Sequence, residues 1–187
     1  MGYLLYRHPL ASWVRIVLAR RRTAARKVAL AAVLSASAVV LSPVVTFPLP
    51  LATPYPVQHM VNAIAGVLLG PWYAALMAVI VGSVRYMLGT GTIHAFPGGI
   101  FGGLIVGLAH RYLLRKDYAA LLEPVGTVIL GAAASAMIFG PLALQMGLRG
   151  RAGTFESFVI IFAPSSIPGS ILGYMVLKVI RRAGLWR

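Results

Sequence analysis

Four long runs of the chain contain no charged side chain, and they set its predicted architecture. These runs cover residues 28–84, 86–110, 124–148 and 157–177. A helix of about 20 apolar residues crosses the hydrocarbon core of a bilayer, so each of the last three runs has room for one spanning helix. The first run is 57 residues long and can hold more than one helix. The pattern therefore predicts an all-α integral membrane protein.

Proline and glycine divide the first run. Five of the twelve prolines fall between residues 42 and 58. Because proline lacks a backbone N–H and disfavours helix in the residue before it, this segment is predicted to be a long loop. Gly70 and Pro71 predict a tight turn between two helices. The prediction is six transmembrane helices, over residues 26–42, 57–69, 71–88, 97–114, 122–145 and 157–181.

The basic residues test whether the short second helix crosses the membrane. With six crossings and an inner N-terminus, fourteen of the 17 Lys and Arg residues lie inside, and only Arg85, Arg149 and Arg151 lie outside. If the second helix does not cross, the division becomes ten inside and seven outside. Cytoplasmic loops are enriched in Lys and Arg, which favours six helices with both termini cytoplasmic in a multi-pass protein of the cell membrane.

The prediction separates an N-terminal segment, residues 1–25, from a six-helix membrane domain, residues 26–187. Basic and apolar side chains alternate in the segment, which is typical of an amphipathic stretch on the inner membrane surface. A cleaved signal peptide is the weaker interpretation, because its basic region would be unusually long.

Composition and missing motifs narrow the function. The chain is 59% hydrophobic and 11% charged, whereas soluble domains have about 25% charged residues, so soluble and disordered chains are excluded. The net charge of +14 then indicates contact with anionic lipid and not with nucleic acid. The sequence has no cysteine, no phosphate-binding loop and no H-E-x-x-H motif. Its three acids are expected at helix ends or in loops, so we expect no buried carboxylate, ion coupling, metal, cofactor or enzyme activity.

Polar residues in the outer half of the helices are the candidate ligand contacts. Gln58 and Asn62 share one helix face, and a buried amide in a membrane needs a neighbouring helix or a ligand as partner. The segment after the third helix combines a Gly/Thr loop with a histidine and an aromatic residue. The predicted site residues are Gln58, His59, Asn62, Arg85, Thr90, Thr92, His94, Phe96, Gln145, Ser165 and Ser166.

Simpler interpretations of the same residues stay open. His94 could cap the fourth helix while Arg85 extends outward to water. Ser165 and Ser166 could bond only their own helix backbone. Glycines at four-residue spacing, as at Gly99, Gly103 and Gly107, indicate close helix packing more than ligand contact.

A set of motifs between residues 56 and 175 carries a family resemblance. The motifs are Pro56-x-Gln58-x-x-x-Asn62, Gly70-Pro71-Trp72-Tyr73-Ala74, Arg85, Gly89-Thr90-Gly91-Thr92, Ala95-Phe96-Pro97-Gly98, Glu123-x-x-Gly126-Thr127 and Ser165-Ser166-x-x-Gly169. They resemble the ThiW family, the substrate-binding S-components of energy-coupling-factor (ECF) transporters. The resemblance implies six helices and capture of hydroxyethylthiazole, the thiazole moiety of thiamine. It also implies a membrane coupling subunit (the T-component) and two cytosolic ATPases as partners.

The resemblance further implies that the first helix docks on the T-component through small residues. The candidate docking residues are Ala25, Ala29, Ala32 and Ala36. Val33 stands where a continuous Ala25/Ala29 ladder would place a third alanine. Family members commonly carry Asn after the arginine of the third helix, where this chain has Tyr86.

Other functions stay open. The ligand could be thiamine or its pyrimidine moiety, although cationic thiamine favours an acidic site and only Glu123 and Glu156 could supply the acid. The chain could be a scaffold subunit that binds no ligand. A small membrane enzyme would have to use Ser165 or Ser166 with His94, and no G-x-S-x-G motif supports it.

Overall fold

The computed structural model describes residues 9–50 and 53–186, with side chains from Thr23 onward. Six helical segments make up the ordered elements of these residues, and the part of the chain described contains no strand. The segments are α1 (Pro9–Leu41), α2 (Pro56–Leu69), α3 (Pro71–Met87), α4 (Ala95–Leu108), α5 (Asp117–Met146) and α6 (Phe155–Arg182).

All six predicted helices are present, and α2, α3 and α6 begin and end within two residues of the predicted bounds. Proline is the first residue of both α2 and α3. Gly70 lies between the two helices with a φ of +93°, a conformation that would be strained in a residue with a side chain. The helix α4 continues through a π-helical turn, Ala109–Leu114, to the predicted end at residue 114. The segment α5 starts five residues earlier than predicted, with a 3₁₀ turn, and then alternates π and α turns.

The predicted boundary after residue 25 is not a break in the helix. Helix α1 begins at Pro9 and continues to Leu41, so it includes much of the predicted surface segment. Residues 1–8 lie outside the described residues. The location of the N-terminal segment on the membrane surface therefore stays a prediction.

Three helices are long and apolar enough to cross a membrane by themselves. They cover Thr23–Leu41, Asp117–Met146 and Phe155–Arg182, and most of each apolar window faces outward. Large apolar side chains such as Val33, Ile138 and Met175 are more than half exposed. Because apolar surface of this extent is unfavourable in water, the outer faces of these helices are suited to lipid.

The short helix α2 lies at the centre of the bundle. Every residue in it except Met60 is buried, mainly against α6 and α4. Its 14 residues reach only about 21 Å, less than the thickness of the hydrocarbon core. Because protein and not lipid surrounds α2, this length carries no mismatch penalty. The main apolar cluster around it includes Val61, Ile64, Leu68, Met77, Val106 and Leu177.

Glycines let α6 approach α2 closely and let α4 approach α3 closely. A Cβ added at Gly173 would lie 2.8 Å from the Cβ of Ala63, and one at Gly169 would lie 2.6 Å from the Cβ of His59. On the other side, a Cβ at Gly107 would lie 2.5 Å from the Cα of Pro71. The glycine spacing therefore serves helix packing, as predicted, and it brings α6 against the polar face of α2.

A candidate ligand-binding site

A cavity of about 480 Å³ lies between α2, α6 and two loops, residues 88–94 and 147–154. Its size is within the range of about 300–1,000 Å³ that is usual for small-molecule sites. Seven of the predicted site residues line it, namely Gln58, His59, Arg85, Thr90, Thr92, His94 and Ser165. The fold thus joins residues that are up to 107 positions apart in the chain.

Arg85 forms one wall of the cavity and is only 1% exposed. It donates hydrogen bonds to Oε1 of Gln58 and to the backbone oxygen of Thr90, the latter at 2.8 Å. Its guanidinium lies 4.3 Å from the centre of the Tyr55 ring, in cation–π contact. Its Nε is buried without a partner. The interpretation in which Arg85 extends to water is therefore wrong.

The two loops over the cavity are bonded to each other. Ile93 donates its N–H to the backbone oxygen of Arg149 at 2.9 Å. Arg149 in turn donates its N–H to the Tyr86 hydroxyl at 2.9 Å, and its Nη1 donates to the Tyr86 backbone oxygen at 2.8 Å. Tyr86 thus holds the second loop in place.

His94 lines the cavity and has one unpaired ring nitrogen. Its Nε2 lies 2.9 Å from the backbone oxygen of Arg151 and 3.2 Å from the backbone nitrogen of the same residue. The shorter contact favours a protonated Nε2 that donates to the oxygen, which leaves Nδ1 as an acceptor. That Nδ1 is buried and has no partner. Burial lowers the pKa of His94, so the ring is neutral at neutral pH.

His94 also occupies the position directly before α4, but its side chain makes no capping hydrogen bond there. The ring instead packs against Phe158, with 4.6 Å between the ring centres. The interpretation of His94 as a side-chain helix cap is therefore not supported, and its imidazole is available to the cavity.

The acid Glu123 lies fully buried behind the cavity, contrary to the expectation that no carboxylate is buried. Its Oε1 lies 2.8 Å from Nδ1 of His59 and 2.6 Å from the Thr127 hydroxyl. Its other oxygen accepts from the Ser166 hydroxyl. Because His59 lines the cavity, this carboxylate fixes the orientation of a ligand-facing imidazole. The burial of Glu123 was not predicted from the sequence, because its partners come from three different helices.

Thr127 connects this cluster to α4. Its hydroxyl lies 2.8 Å from the backbone oxygen of Gly98 as well as 2.6 Å from Glu123. A hydroxyl has one proton, so it donates to one of these two oxygens at a time. The spacing of Glu123 and Thr127, four residues apart on a helix, is the sequence signal that could have revealed the pair.

The aromatic wall of the cavity comes from α6. Phe158 and Phe162 line it, with 5.9 Å between their ring centres. The predicted aromatic residue, Phe96, packs instead between α3 and α4, where its ring would lie 3.3 Å from a Cβ at Gly82. The sequence signal was present, because Phe158, Phe162 and Ser165 follow one face of a helix at intervals of four and three residues.

Four predicted residues do not line the cavity. Phe96 packs between helices, and Ser166 bonds to Glu123 behind the wall. Asn62 is buried one turn below Gln58, and its Nδ2 has no partner. Gln145 is exposed near the end of α5. Ligand contact by these residues stays a prediction.

Ser165 and Ser166 do not simply bond their own helix. The Ser165 hydroxyl accepts the N–H of Tyr55 at 3.0 Å, which ties the proline-rich segment to α6. The Ser166 hydroxyl donates to Glu123. Both serines therefore connect α6 to other parts of the site.

The ionic side chains that line the cavity are all basic. They are Arg85, Arg149 and Arg151, and among the described residues no acidic side chain lines it. The walls are otherwise apolar or neutral, and charges of one sign in such a cleft create a focused field. The cavity is therefore electropositive.

The family of the chain follows from a comparison with family models. The model of the thiamine-precursor transporter proteins (ThiW) matches residues 28–183, most of the chain and all the elements that build the cavity. The chain belongs to the ThiW family. This confirms the resemblance seen in the motifs. No curated protein and no solved structure shows a significant match to the chain.

Membership identifies the chain as a thiamine-precursor transport protein. ThiW is a family of transporters and not of enzymes, and the apolar helices place the protein in a membrane. A transporter of this kind requires a small-molecule ligand. The cavity is the candidate for its site.

The predicted docking residues of this ThiW protein lie on the outer surface of the bundle. Ala25, Ala29, Ala32 and Ala36 are all exposed on α1. Their intervals of four, three and four residues place them on one face of the helix. The face is thus accessible to another helix.

Proposed function

We propose that the chain is the S-component of an ECF transporter and captures the thiazole precursor of thiamine, with hydroxyethylthiazole as its simplest form. The observation that carries the proposal is the cavity, bordered by two bonded loops and lined by His94, Gln58 and a phenylalanine wall. Hydroxyethylthiazole offers an aromatic ring, a ring nitrogen and a hydroxyl. The unpaired Nδ1 of His94 suits that hydroxyl, and Phe158 and Phe162 suit the ring.

The charges around the cavity argue against thiamine as the preferred ligand. Thiamine is cationic, and the charged side chains of the lining are the three arginines Arg85, Arg149 and Arg151. The only buried acid, Glu123, contacts His59, Thr127 and Ser166 and does not line the cavity. The uncharged thiazole or the pyrimidine moiety meets no such repulsion.

In this proposal α1 to α6 cross the membrane with both termini in the cytoplasm. The cavity then opens outward, and the exposed alanine face of α1 docks on the T-component, whose two cytosolic ATPases supply the energy. The short helices α2 and α4 can take part in this arrangement because they pack between neighbouring helices. The arrangement of the charges follows the positive-inside rule.

Calorimetric titration of the purified chain, without partners, tests ligand capture. Hydroxyethylthiazole, thiamine and the pyrimidine moiety are titrated separately into the wild type and into two variants, His94→Ala and His110→Ala. We expect one-to-one binding of the thiazole, weakened by His94→Ala and unchanged by His110→Ala, because His110 does not line the cavity. If none of the three compounds binds, the chain is a scaffold or a subunit whose site needs a partner, and the proposal is wrong.

Docking is tested separately by co-purification with the T-component and the ATPases. Ala32→Trp is expected to reduce recovery of the partners while thiazole binding by the chain alone is retained. Leu144→Trp, on the exposed face of α5, is the matched control. Equal loss of partners in both variants would contradict docking through α1.

A further inference from the structure

The charge of Arg85 is not balanced by any acidic side chain. The chain has three acids, and all three lie in the described residues. Asp117 pairs with Arg181 at 3.0 Å, Glu123 is held by His59, Thr127 and Ser166, and Glu156 is exposed in the first turn of α6. The contacts of Arg85 are an amide oxygen, a backbone oxygen and an aromatic ring, all of them neutral.

A buried cation with only neutral partners is unfavourable. Removing a charge from water is costly, and an opposite charge offsets this cost only when it is close. Arg85 is 1% exposed, so water offsets little of this cost. The described residues therefore leave the buried charge of Arg85 without an anionic partner.

The geometry of the guanidinium indicates which anions fit. An arginine has five N–H groups, and the bonds to Gln58 and Thr90 account for two of them. The Nε–H is buried, lacks a partner and belongs to a side chain that lines the cavity. In an arginine the Nε–H lies in one plane with a neighbouring Nη N–H, and such a pair binds carboxylate and phosphate oxygens in a bidentate manner. Arg149 and Arg151, on the loop above, add positive charge to the same cavity.

We propose that Arg85 is an anion-binding subsite and that the preferred ligand is a thiazole precursor with a carboxylate or a phosphate monoester, rather than the neutral alcohol. This inference rests on the proposed function, because it assigns a substrate class to the same cavity. The aromatic ring of the ligand lies against Phe158 and Phe162, and its acidic group binds Arg85. Gln58 acts as a positioning residue, since its side chain bonds both Arg85 and the backbone oxygen of Ala95.

The test is a calorimetric comparison of three ligands in zwitterionic detergent: hydroxyethylthiazole, its phosphate monoester and a carboxylated thiazole. We expect at least one acid to bind about tenfold or more tightly than the alcohol, as a charge-assisted hydrogen bond allows. Arg85→Gln should remove this preference and Arg85→Lys should reduce it, because lysine keeps the charge but not the planar N–H pair. Arg111→Gln, an exposed arginine after α4, should keep the preference.

A pH series on the wild type keeps the test independent of how the variants fold. The second pKa of a phosphate monoester is about 6, so the preference for the ester over the alcohol should decrease as the pH falls from 7.5 to 5. Equal or tighter binding of the alcohol in the wild type would overturn the inference and leave the proposed function intact. A preference that persists in both Arg85 variants would also overturn it. Absence of binding by all three ligands would reject the proposed function itself.

One further arm distinguishes a soluble ligand from a lipid headgroup, which carries the same phosphate chemistry. Addition of phosphatidylglycerol to the micelles should leave the affinity for the acidic thiazole unchanged. Competition by the lipid would mean that Arg85 binds a headgroup, and the inference would be wrong.

Discussion

Replacement of Glu123 by glutamine tests the buried cluster behind the cavity. The carboxylate is in contact with three possible donors: Nδ1 of His59 at 2.8 Å, the Thr127 hydroxyl at 2.6 Å and the Ser166 hydroxyl. An ionised carboxylate only accepts hydrogen bonds, so it suits all three. A glutamine has nearly the same shape but must turn an NH₂ group towards at least one of these donors.

The expected cost follows from that mismatch. A hydrogen bond to a charged group contributes about 1.5–3 kcal/mol, so loss of one lowers the free energy of unfolding by about 2 kcal/mol. For a chain of 187 residues, this corresponds to a decrease of about 4–8 °C in melting temperature. Ligand affinity should also decrease, by about fivefold for about 1 kcal/mol, because His59 loses the contact that orients its ring.

The assay is thermal unfolding in detergent, followed by calorimetric titration with the thiazole ligand. Glu156→Gln is the matched control, because it makes the same chemical change at an exposed carboxylate that does not line the cavity. We expect little effect from the control. If Glu123→Gln unfolds at the same temperature as the wild type and binds equally well, Glu123 does not accept stabilising hydrogen bonds from all three neighbours, and the expected loss is refuted.

Three further predictions concern packing, positioning and pH. Gly107→Ala should lower the melting temperature through overpacking of about 1–3 kcal/mol against Pro71, whereas Gly98→Ala, whose Cβ would lie 3.6 Å from the nearest atom, should not; equal melting temperatures would contradict the close approach of α3 and α4. Gln58→Ala should weaken binding of an acidic thiazole more than of the alcohol in calorimetry, because it frees the Arg85 side chain; equal weakening of both ligands would contradict a positioning role. Because burial lowers the pKa of His94 below its usual value of about 6.5, the unfolded chain binds the proton first and stability should fall as the pH decreases below about 6.5. His94→Gln should make the acid side of the melting-temperature profile shallower, and an unchanged profile would assign the effect to another group.

Much of the fold could be predicted from local patterns in the sequence. The charge-free runs located the helices, since a membrane span needs a long uncharged stretch. Prolines placed the loop before α2, and Gly70 with Pro71 placed the turn between α2 and α3. The exception was the start of α1, which begins at Pro9 and not at residue 26.

The candidate site could be predicted from the sequence only in part. Residues close together in the chain, such as Arg85, Thr90 and His94, could be grouped because they lie in or beside one loop. The structure places all three around one cavity. The aromatic wall was assigned to Phe96, but it comes from Phe158 and Phe162. Periodicity shows which residues share a helix face, but not which neighbouring element that face meets.

Hydrophobic runs, turn residues and motifs are local properties, and they were sufficient to predict a membrane protein of six helices that resembles the ThiW family. The packing of the helices was needed to show that Glu123 is buried against His59, 64 residues away, and that Arg85 turns inward without an acidic partner. The burial of Glu123 depends on how closely α4 and α5 approach each other, because a Cβ at Gly102 would clash with Oε1 of Glu123 and one at Gly126 with the backbone oxygen of Phe101. Such approaches join distant parts of the chain, so no pattern within one segment specifies them.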